Sequence, residues 1–375
     1  MKTLNWILIM LLCTACAKPY RGFVLDGKIA GTTSDIMVLN YLDSLGQNRT
    51  DTVAVENGCF RFRGGIKEPT PAMLSNGKPI RSSGDRHYVN LWLEPGAMRY
   101  EAAGNDLQLY TLAGSETDAD AQELNERLAP LVEQLKALQA PSGVDAERLF
   151  WLRDSLGNAY KRIQLDFVVN RPDSYITPGL MRMFVIEMNP DELQAYYDRW
   201  TEEVKQSPAG KEIAGEIRKL RAGSPGAVAP LFAGTDVNGK EFRLADLRGK
   251  YVLLDFWATW CKPCRASNPH LKALFKKYHV KGLEVVCVAD DDGNAVRWRE
   301  AVEEDEIGEF HHVLRGLKRL KDGYDKSGDI HGMYGIHTLP TKFLIDREGI
   351  IVGRYGGGGS EEEKMDADLK KAFGF

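Results

Sequence analysis

The spacing of hydrophobic residues changes twice along the chain, and each change predicts a different kind of structure. Over residues 22–114, short runs such as GFVLDGKIAG and VNLWLEPGAMRYEAAG are separated by glycine, proline and Asn-Gly. This pattern is typical of β-strands joined by tight turns. We therefore predict a small antiparallel β domain over residues 22–114, with a hairpin turn at Asn57 and Gly58, because both residue types tolerate a positive φ angle.

Helical spacing replaces this pattern over residues 115–222. Leucines recur at three- or four-residue intervals from Leu124 to Leu138, and a second apolar stripe follows. These stripes predict a helical region whose apolar faces serve in packing. The small residues and prolines of AGSPGAVAP, at residues 222–230, then indicate a linker and a domain boundary.

Strands and helices alternate over residues 228–375. YVLLDFW and LEVVCVAD are continuous apolar runs, TKFLID and IIVGRY predict a hairpin, and one apolar face over residues 261–279 predicts a single helix. Buried strands that alternate with helices are typical of a layered α/β domain. The whole pattern predicts a multidomain protein with an N-terminal antiparallel β domain, a helical middle region and a C-terminal α/β domain.

Composition narrows the possible functions. The chain has 375 residues, of which 43% are hydrophobic and 27% charged, and this is an ordinary globular composition for two or three domains. The net charge of −4 comes with no basic block. Nucleic-acid binding therefore receives no support.

Residues 1–16 have the pattern of an export signal. Lys2 precedes an apolar run over residues 6–12, which is too short to span a bilayer. The small residues before Cys16 resemble a bacterial lipoprotein signal, in which that cysteine is lipidated and becomes the new N-terminus. The alternative is a plain secretory signal with a coincidental cysteine. Either signal predicts export to a compartment where disulfides persist.

Two cysteines, Cys261 and Cys264, stand at the start of the predicted helix, directly after an apolar strand. A thiolate at a helix N-terminus is stabilised by the helix dipole and by free backbone N–H groups, and a cysteine one turn later can form a disulfide with it. This setting indicates a redox pair. A zinc site would need two further ligands, and the chain has no second cysteine pair. We expect Cys59 and Cys287 to be buried free thiols.

The stretches DFWATWCKPC and HTLPTKFLID resemble the active-site and cis-proline segments of thioredoxin-fold proteins. From about residue 228 the chain resembles the TlpA/ResA-like branch, whose members are extracytoplasmic, membrane-anchored thiol-disulfide oxidoreductases. Residues 22–220 resemble the β plus helical region that precedes such modules in Gram-negative lipoproteins. The resemblance therefore implies a thioredoxin-like fold for residues 228–375.

The resemblance implies that Cys261 is the attacking thiolate and that Cys264 resolves the mixed disulfide. Asp255 precedes Cys261 by six residues, as the buried acid of thioredoxin does. A carboxylate is costly to bury, and there it could accept the proton of Cys264. The alternative is a structural acid that is hydrogen-bonded to backbone. Many members of the branch carry glutamate where this chain has Ser267, so Asp255 is expected to do the acid–base work instead.

The resemblance also assigns a substrate-binding surface. Pro340, in cis, is expected to place the backbone of Leu339 against the incoming chain. Trp260 and Pro263 are expected to shape the surface around the sulfurs. No metal ion is expected in this site.

The resemblance implies an enzyme of the cell envelope, lipid-anchored on the periplasmic face, that exchanges disulfides with exported proteins. Such exchange needs no cofactor. A membrane electron donor and a role in cytochrome c maturation are further expectations, and we expect a reductant rather than an isomerase or oxidant. A thiol peroxidase would need Pro-x-x-x-Thr/Ser-x-x-Cys, which is absent before Cys261. The non-enzymatic alternative is a binding lipoprotein in which the cysteine pair is incidental.

Overall fold

The computed structural model describes residues 22–82, 84–138, 145–357 and 359–374. The predicted signal sequence and Cys16 lie outside these residues. The chain divides into two compact units, of which one ends at Thr177 and the other is Pro178–Phe375. This division falls inside the helical region predicted for residues 115–222, and the domain limits given above remain predictions.

The first unit contains two four-stranded sheets in the described residues. Their strands are β1 (Phe23–Ala30), β2 (Ile36–Leu42), β3 (Asn48–Ala54), β4 (Cys59–Gly64), β5 (Thr70–Ser75), β6 (Tyr88–Leu93), β7 (Gly96–Ala103) and β8 (Tyr110–Ala113). The strand orders are β4-β1-β7-β8 and β3-β2-β5-β6. The pairs are antiparallel except for β1 with β7. The predicted antiparallel β domain is therefore confirmed, with one parallel pair among the described strands.

The predicted turn at Asn57 and Gly58 forms, with φ angles of 53° and 75°. The strands on its two sides enter different sheets, however, because β3 pairs with β2 and β4 pairs with β1. Glu56 and Cys59 still exchange two backbone hydrogen bonds across the turn, so the predicted hairpin forms at this one pair and does not continue along the strands. Phe60 and Phe62 of β4 face the core, which turns Cys59 outward, so the prediction of a buried Cys59 was wrong.

Helices α1 (Glu116–Ala137) and α2 (Ala146–Asn170) complete the first unit and pack against each other. The Ser115 side chain caps α1 by accepting a hydrogen bond from the backbone N–H of Asp118. The buried carboxylate of Asp118 accepts hydrogen bonds from the Trp92 backbone and from the Tyr110 hydroxyl. These bonds attach the start of α1 to the edges of both sheets.

Four helices precede the α/β part of the second unit in the described chain. They are α3 (Thr177–Phe184), α4 (Pro190–Asp198), α5 (Glu202–Gln206) and α6 (Pro208–Ala222). The end of α6 touches the α/β part at backbone level. A Cβ atom on Gly223 would collide with the carbonyl oxygen of Tyr334, and one on Gly335 would lie 3.0 Å from the backbone nitrogen of Leu220. Only glycine permits this close approach.

The α/β part is built on a five-stranded sheet of order β13-β12-β11-β16-β17. Its strands and the flanking elements are β9 (Ala233–Thr235), β10 (Glu241–Arg243), β11 (Tyr251–Trp257), α7 (Lys262–Ala266), α8 (Asn268–Tyr278), β12 (Leu283–Ala289), α9 (Ala295–Glu304), β13 (His311–Leu314), β14 (Lys318–Leu320), β15 (Gly323–Asp325), α10 (Ile330–Met333), β16 (Thr341–Ile345), β17 (Ile351–Tyr355) and α11 (Gly359–Ala372). Strands β11, β12 and β13 are parallel, and β16 and β17 are antiparallel to their neighbours. The predicted α/β fold is confirmed.

Alternate residues of β11 face two separate hydrophobic clusters. Leu253 and Trp257 belong to one cluster, and Leu254 and Phe256 belong to the other. The central strand is therefore buried on both faces, which explains its continuous apolar run. No helix in the described ranges is long and apolar enough to cross a lipid bilayer.

Candidate active site

The turn between β11 and α7 joins Cys261 and Cys264 in a disulfide, with their Cα atoms 5.3 Å apart. Cys261 is the N-cap of α7, and the backbone N–H of Cys264 donates to its Sγ atom at 3.3 Å. The same N–H would stabilise a thiolate on Cys261 after reduction. Both cysteines are nearly buried, with exposed fractions of 4% for Cys261 and 1% for Cys264. Only a small part of Cys261 is therefore accessible to solvent.

The helix behind the cysteines is interrupted, so the prediction of a single helix over residues 261–279 was wrong. Helix α7 has five residues, and α8 starts at Asn268 with Pro269 in its first turn. Proline has no N–H to donate to the carbonyl one turn earlier, which breaks the helix at this point. The break buries Ser267, whose hydroxyl donates to the carbonyl of Cys264 at 2.8 Å.

A buried aspartate fixes the turn before the cysteines. Asp291, in the loop after β12, accepts hydrogen bonds from the Thr259 backbone at 2.9 Å and from the Thr259 hydroxyl at 2.6 Å. Sequence analysis missed Asp291. The sequence feature that could have indicated it is the acidic run DDD at the carboxyl end of an apolar strand. Loops that follow neighbouring parallel strands lie together at this edge of a sheet.

Asp255 is buried on the face of β11 that carries Leu253 and Trp257, and this is also the face of the cluster that contains both active-site cysteines. Its closest charged neighbour is Lys342 on β16, whose Nζ lies 3.1 Å from Oδ1. The contact is an ion pair without hydrogen-bond geometry, so Oδ1 accepts no hydrogen bond from the described residues. A buried carboxylate oxygen with a free lone pair is suited to receive a proton.

Lys342 links Asp255 to the break between α7 and α8. Its ammonium also donates to the Ser267 hydroxyl at 3.1 Å, and its side chain is 4% exposed. The Ser267 hydroxyl, at the position where the resemblance led us to expect glutamate, therefore accepts a hydrogen bond from a lysine. Sequence analysis did not single out Lys342, although a lysine inside the otherwise apolar strand TKFLI was a signal.

Cys287 lies directly across from Asp255 in the pairing of β11 with β12. It is buried and unpaired, as predicted. Burial, with a further contribution from Asp255, raises the pKa of its thiol. Cys287 is therefore held as a neutral thiol beside the carboxylate.

The Leu339–Pro340 peptide bond is cis. Pro340 is buried, and the half-buried Leu339 packs against the hydrophobic cluster that holds Cys261 and Cys264. Trp260, which is 65% exposed, and Pro263 lie at the surface beside the disulfide. The chain thus offers an exposed apolar surface around a small opening to the sulfurs.

An ion pair ties the cis-proline loop, residues 337–340, to helix α6. The His337 Nε2 atom lies 3.2 Å from a carboxylate oxygen of Glu216, and Lys219 donates to the other oxygen at 2.7 Å. The close contact with His337 is the main reason that the pKa of Glu216 falls from its ordinary value of 4.5 to about 2. Sequence analysis missed Glu216, since nothing local marks it.

Glu216→Gln is expected to lower the free energy of unfolding by about 1.5–3 kcal/mol at pH 5.5, the usual range for a hydrogen bond to a charged group, because it weakens the bond from Lys219 and the contact with His337. The pKa of Glu216 is lower in the folded than in the unfolded chain, so its contribution is present above about pH 4.5 and disappears as the pH falls toward 2. Denaturant unfolding of both proteins from pH 5.5 to 2.5 measures this. A difference that stays constant over this range would contradict the assignment.

Within the part of the chain that the structure describes, no group of three or more histidine, cysteine, aspartate or glutamate side chains is arranged to hold a metal ion.

Two family descriptions match different parts of the chain. Residues 225–354 match the AhpC/TSA family, and residues 23–121 match a domain of unknown function (DUF4369). Among solved structures, the thioredoxin domain of a thiol-disulfide oxidoreductase from Bacteroides vulgatus is 32% identical and covers 39% of this chain and 98% of its own, with a TM-score of 0.33. A thiol:disulfide interchange protein from Bacteroides sp. is 32% identical and covers 40% of this chain and 89% of its own, with a TM-score of 0.33.

Curated relatives match the C-terminal part. Thiol-disulfide oxidoreductase ResA from Bacillus anthracis is 39% identical over 147 residues, which are 39% of this chain and 77% of that protein. ResA from Bacillus subtilis is 33% identical over 144 residues, which are 38% of this chain and 69% of that protein. The resemblance stated from the sequence is confirmed: the chain belongs to the ResA family of thiol-disulfide oxidoreductases.

Proposed function

We propose that the protein is an extracytoplasmic reductant that acts on the disulfides of exported proteins through Cys261 and Cys264. The observation that supports this most is the disulfide at the start of α7, with its first cysteine capped by a backbone N–H and bordered by the exposed Trp260. A thiolate formed at this cap has a backbone donor, and a flat apolar surface beside it suits a polypeptide substrate.

The first step forms a bond between the Cys261 sulfur and one sulfur of the client disulfide. The second client sulfur leaves as a thiolate and takes up a proton. Cys264 then attacks the Cys261 sulfur, which closes the protein's own disulfide and releases the first client sulfur as a thiolate. The client gains two electrons and the protein dithiol loses two. A separate electron donor must then return the protein to its reduced form.

We assign the proton of Cys264 to Asp255. The Oδ1 atom of this carboxylate accepts no hydrogen bond from the described residues, and Asp255 lies on the face of β11 whose residues Leu253 and Trp257 belong to the cluster with Cys264. The nearby Lys342 ammonium stabilises the ionised carboxylate, which is the form able to accept a proton. Lys342 acts in this scheme as a positioning residue, because its effect is exerted through Asp255.

The location and the partners follow from the sequence resemblance. We propose lipidation at Cys16, an anchor on the periplasmic face of the cell envelope, and a membrane protein as the electron donor. Cytochrome c maturation is one process that such a reductant would serve. Mass spectrometry of the mature N-terminus tests the anchor, and a protein whose N-terminus lies elsewhere and carries no lipid would contradict it.

The reduction potential of the Cys261–Cys264 pair tests the direction of exchange. We expect a value near about −270 mV, the range of thioredoxin-like reductants, measured by thiol labelling across glutathione and dithiothreitol buffers. A value near about −120 to −180 mV would identify an oxidant or isomerase instead. A pair that never cycles would contradict the enzyme assignment and favour the binding lipoprotein.

A further inference from the structure

A solvent-open groove lies beside the cis-proline loop, inside the second unit. It is lined by residues from three regions, the junction of α3 and α4, the end of α6, and the loop and strands around Pro340. His337 and Thr338 of the cis-proline loop form part of its wall. A polypeptide that contacts the cis-proline loop would therefore also lie next to this groove.

Arg354, on the edge strand β17, lines the groove. Its guanidinium donates to the backbone carbonyl of Gly335 at 2.9 Å and, more weakly, to that of Gly223 at 3.5 Å. It lies over the ring of Phe343, with its Cζ atom 5.3 Å from the ring centre. No carboxylate of the described residues lies within ion-pair distance of it, so its positive charge is balanced only by neutral dipoles.

This arrangement is unusual for a partly buried cation. Burial alone lowers the pKa of Arg354, with no carboxylate to offset it. A guanidinium has five N–H donors, and the two carbonyls leave several of them available. These donors match the two oxygens of a carboxylate, which Arg binds in a planar, bidentate manner.

We infer that this groove binds an extended segment of the client polypeptide that carries an acidic side chain near the target cysteine, with the carboxylate received by Arg354. The inference rests on the proposed function and names its substrate class. Two observations support a client segment as the occupant: the groove is continuous with the cis-proline loop, and Arg354 has no carboxylate partner among the described residues. The exposed carboxylate of Glu187 also lines the groove, but solvent screens it.

The experiment compares model peptides linked through one cysteine to a neutral thiol. The peptides carry Glu, Gln or Lys three residues before or three residues after the cysteine, because a chain can cross the loop in either direction. The reduced full-length protein in detergent is expected to reduce the Glu peptide with a kcat/KM about tenfold above that of the Lys peptide in one of the two placements. Raising the salt concentration should reduce this preference.

Four variants test whether the preference for the Glu peptide arises in the groove. Arg354→Met is expected to reduce the preference to about twofold or less, because it removes the cation. Ile186→Glu, at an exposed position in the groove wall, should do the same without touching the buried guanidinium, and Ile186→Lys should increase the preference. Val280→Glu, at a more exposed apolar site outside the groove, should leave the preference unchanged.

Each variant's peptide rates are divided by its own rate on 2-hydroxyethyl disulfide, which is neutral and too small to fill the groove. Equal rates for Glu and Lys peptides in both placements would overturn the inference, while leaving a protein that reduces the small disulfide as the proposed function requires. A preference that survives both Arg354→Met and Ile186→Glu would overturn it as well. Failure to reduce the small disulfide would contradict the proposed function itself, and the groove assignment with it.

Discussion

Replacing Cys261 by serine is expected to lower the kcat/KM for disulfide reduction by a factor of roughly a thousand or more, because a hydroxyl cannot act as the nucleophile toward a disulfide sulfur. The structure places this cysteine at the N-cap of α7, with the backbone N–H of Cys264 directed at its sulfur. The second cysteine lies deeper and is 1% exposed. The rate is measured by following the reduced client peptide by chromatography.

Cys264→Ser is the matched variant, and it should behave differently. It keeps the attacking thiolate but removes the thiol that resolves the intermediate, so a mixed disulfide between Cys261 and the client should accumulate. Mass spectrometry under non-reducing conditions detects it. Cys287→Ser serves as a control for the third thiol of this region and should trap nothing. A mixed disulfide that forms in Cys261→Ser but not in Cys264→Ser would reverse the two roles.

Lys342→Met is expected to destabilise the protein by about 3–5 kcal/mol, because removal of one member of a buried ion pair leaves the other charge without a partner. Both side chains are almost fully buried, with exposures of 4% for Lys342 and 2% for Asp255. The variant also removes the donor to Ser267. Denaturant unfolding at neutral pH measures the change, and a cost of less than about 1 kcal/mol would show that the pair is not coupled.

The double variant Lys342→Met/Asp255→Leu distinguishes the contribution of the ion pair to stability from the contribution of each side chain alone. Replacement of a whole buried pair by apolar residues is often close to neutral, so the double variant should recover much of the stability lost by Lys342→Met. The difference between the double and the two single variants gives the coupling energy. Additive losses would mean that each side chain contributes independently.

This pair changes how the role of Asp255 has to be tested. From the sequence, Asp255→Asn is expected to slow resolution of the mixed disulfide and to spare the fold. The structure indicates that the same substitution leaves the Lys342 ammonium buried without its counter-charge, so stability should fall too. The kinetic effect of Asp255→Asn is therefore measured under conditions in which denaturant unfolding shows the variant to be folded, with the Lys342 ammonium kept in both proteins.

Local sequence patterns predicted those parts of the molecule that depend on interactions between residues close together in the chain. The buried strand YVLLDFW, the Cys261–Cys264 spacing at a helix start and the Asn57-Gly58 turn each depend on neighbouring residues. The partners of Asp255 and His337 could not be found in this way. Lys342 reaches Asp255 through the register of β11 with β16, and Glu216 reaches His337 from a helix more than a hundred residues earlier. Register and helix docking are set by the whole fold.

The contact of α6 with the oxidoreductase fold also determines where a fragment that keeps the site intact could begin. Gly223 and Gly335 bring the end of α6 against the chain that leads into the cis-proline loop, and Glu216 binds His337 from the same helix. A fragment that starts at residue 228, at the linker, would lose all of these contacts and one wall of the groove beside Arg354. A fragment that starts near residue 178 would keep them. Recombination that moves this catalytic module between proteins would therefore preserve the site best if it carried the four preceding helices along.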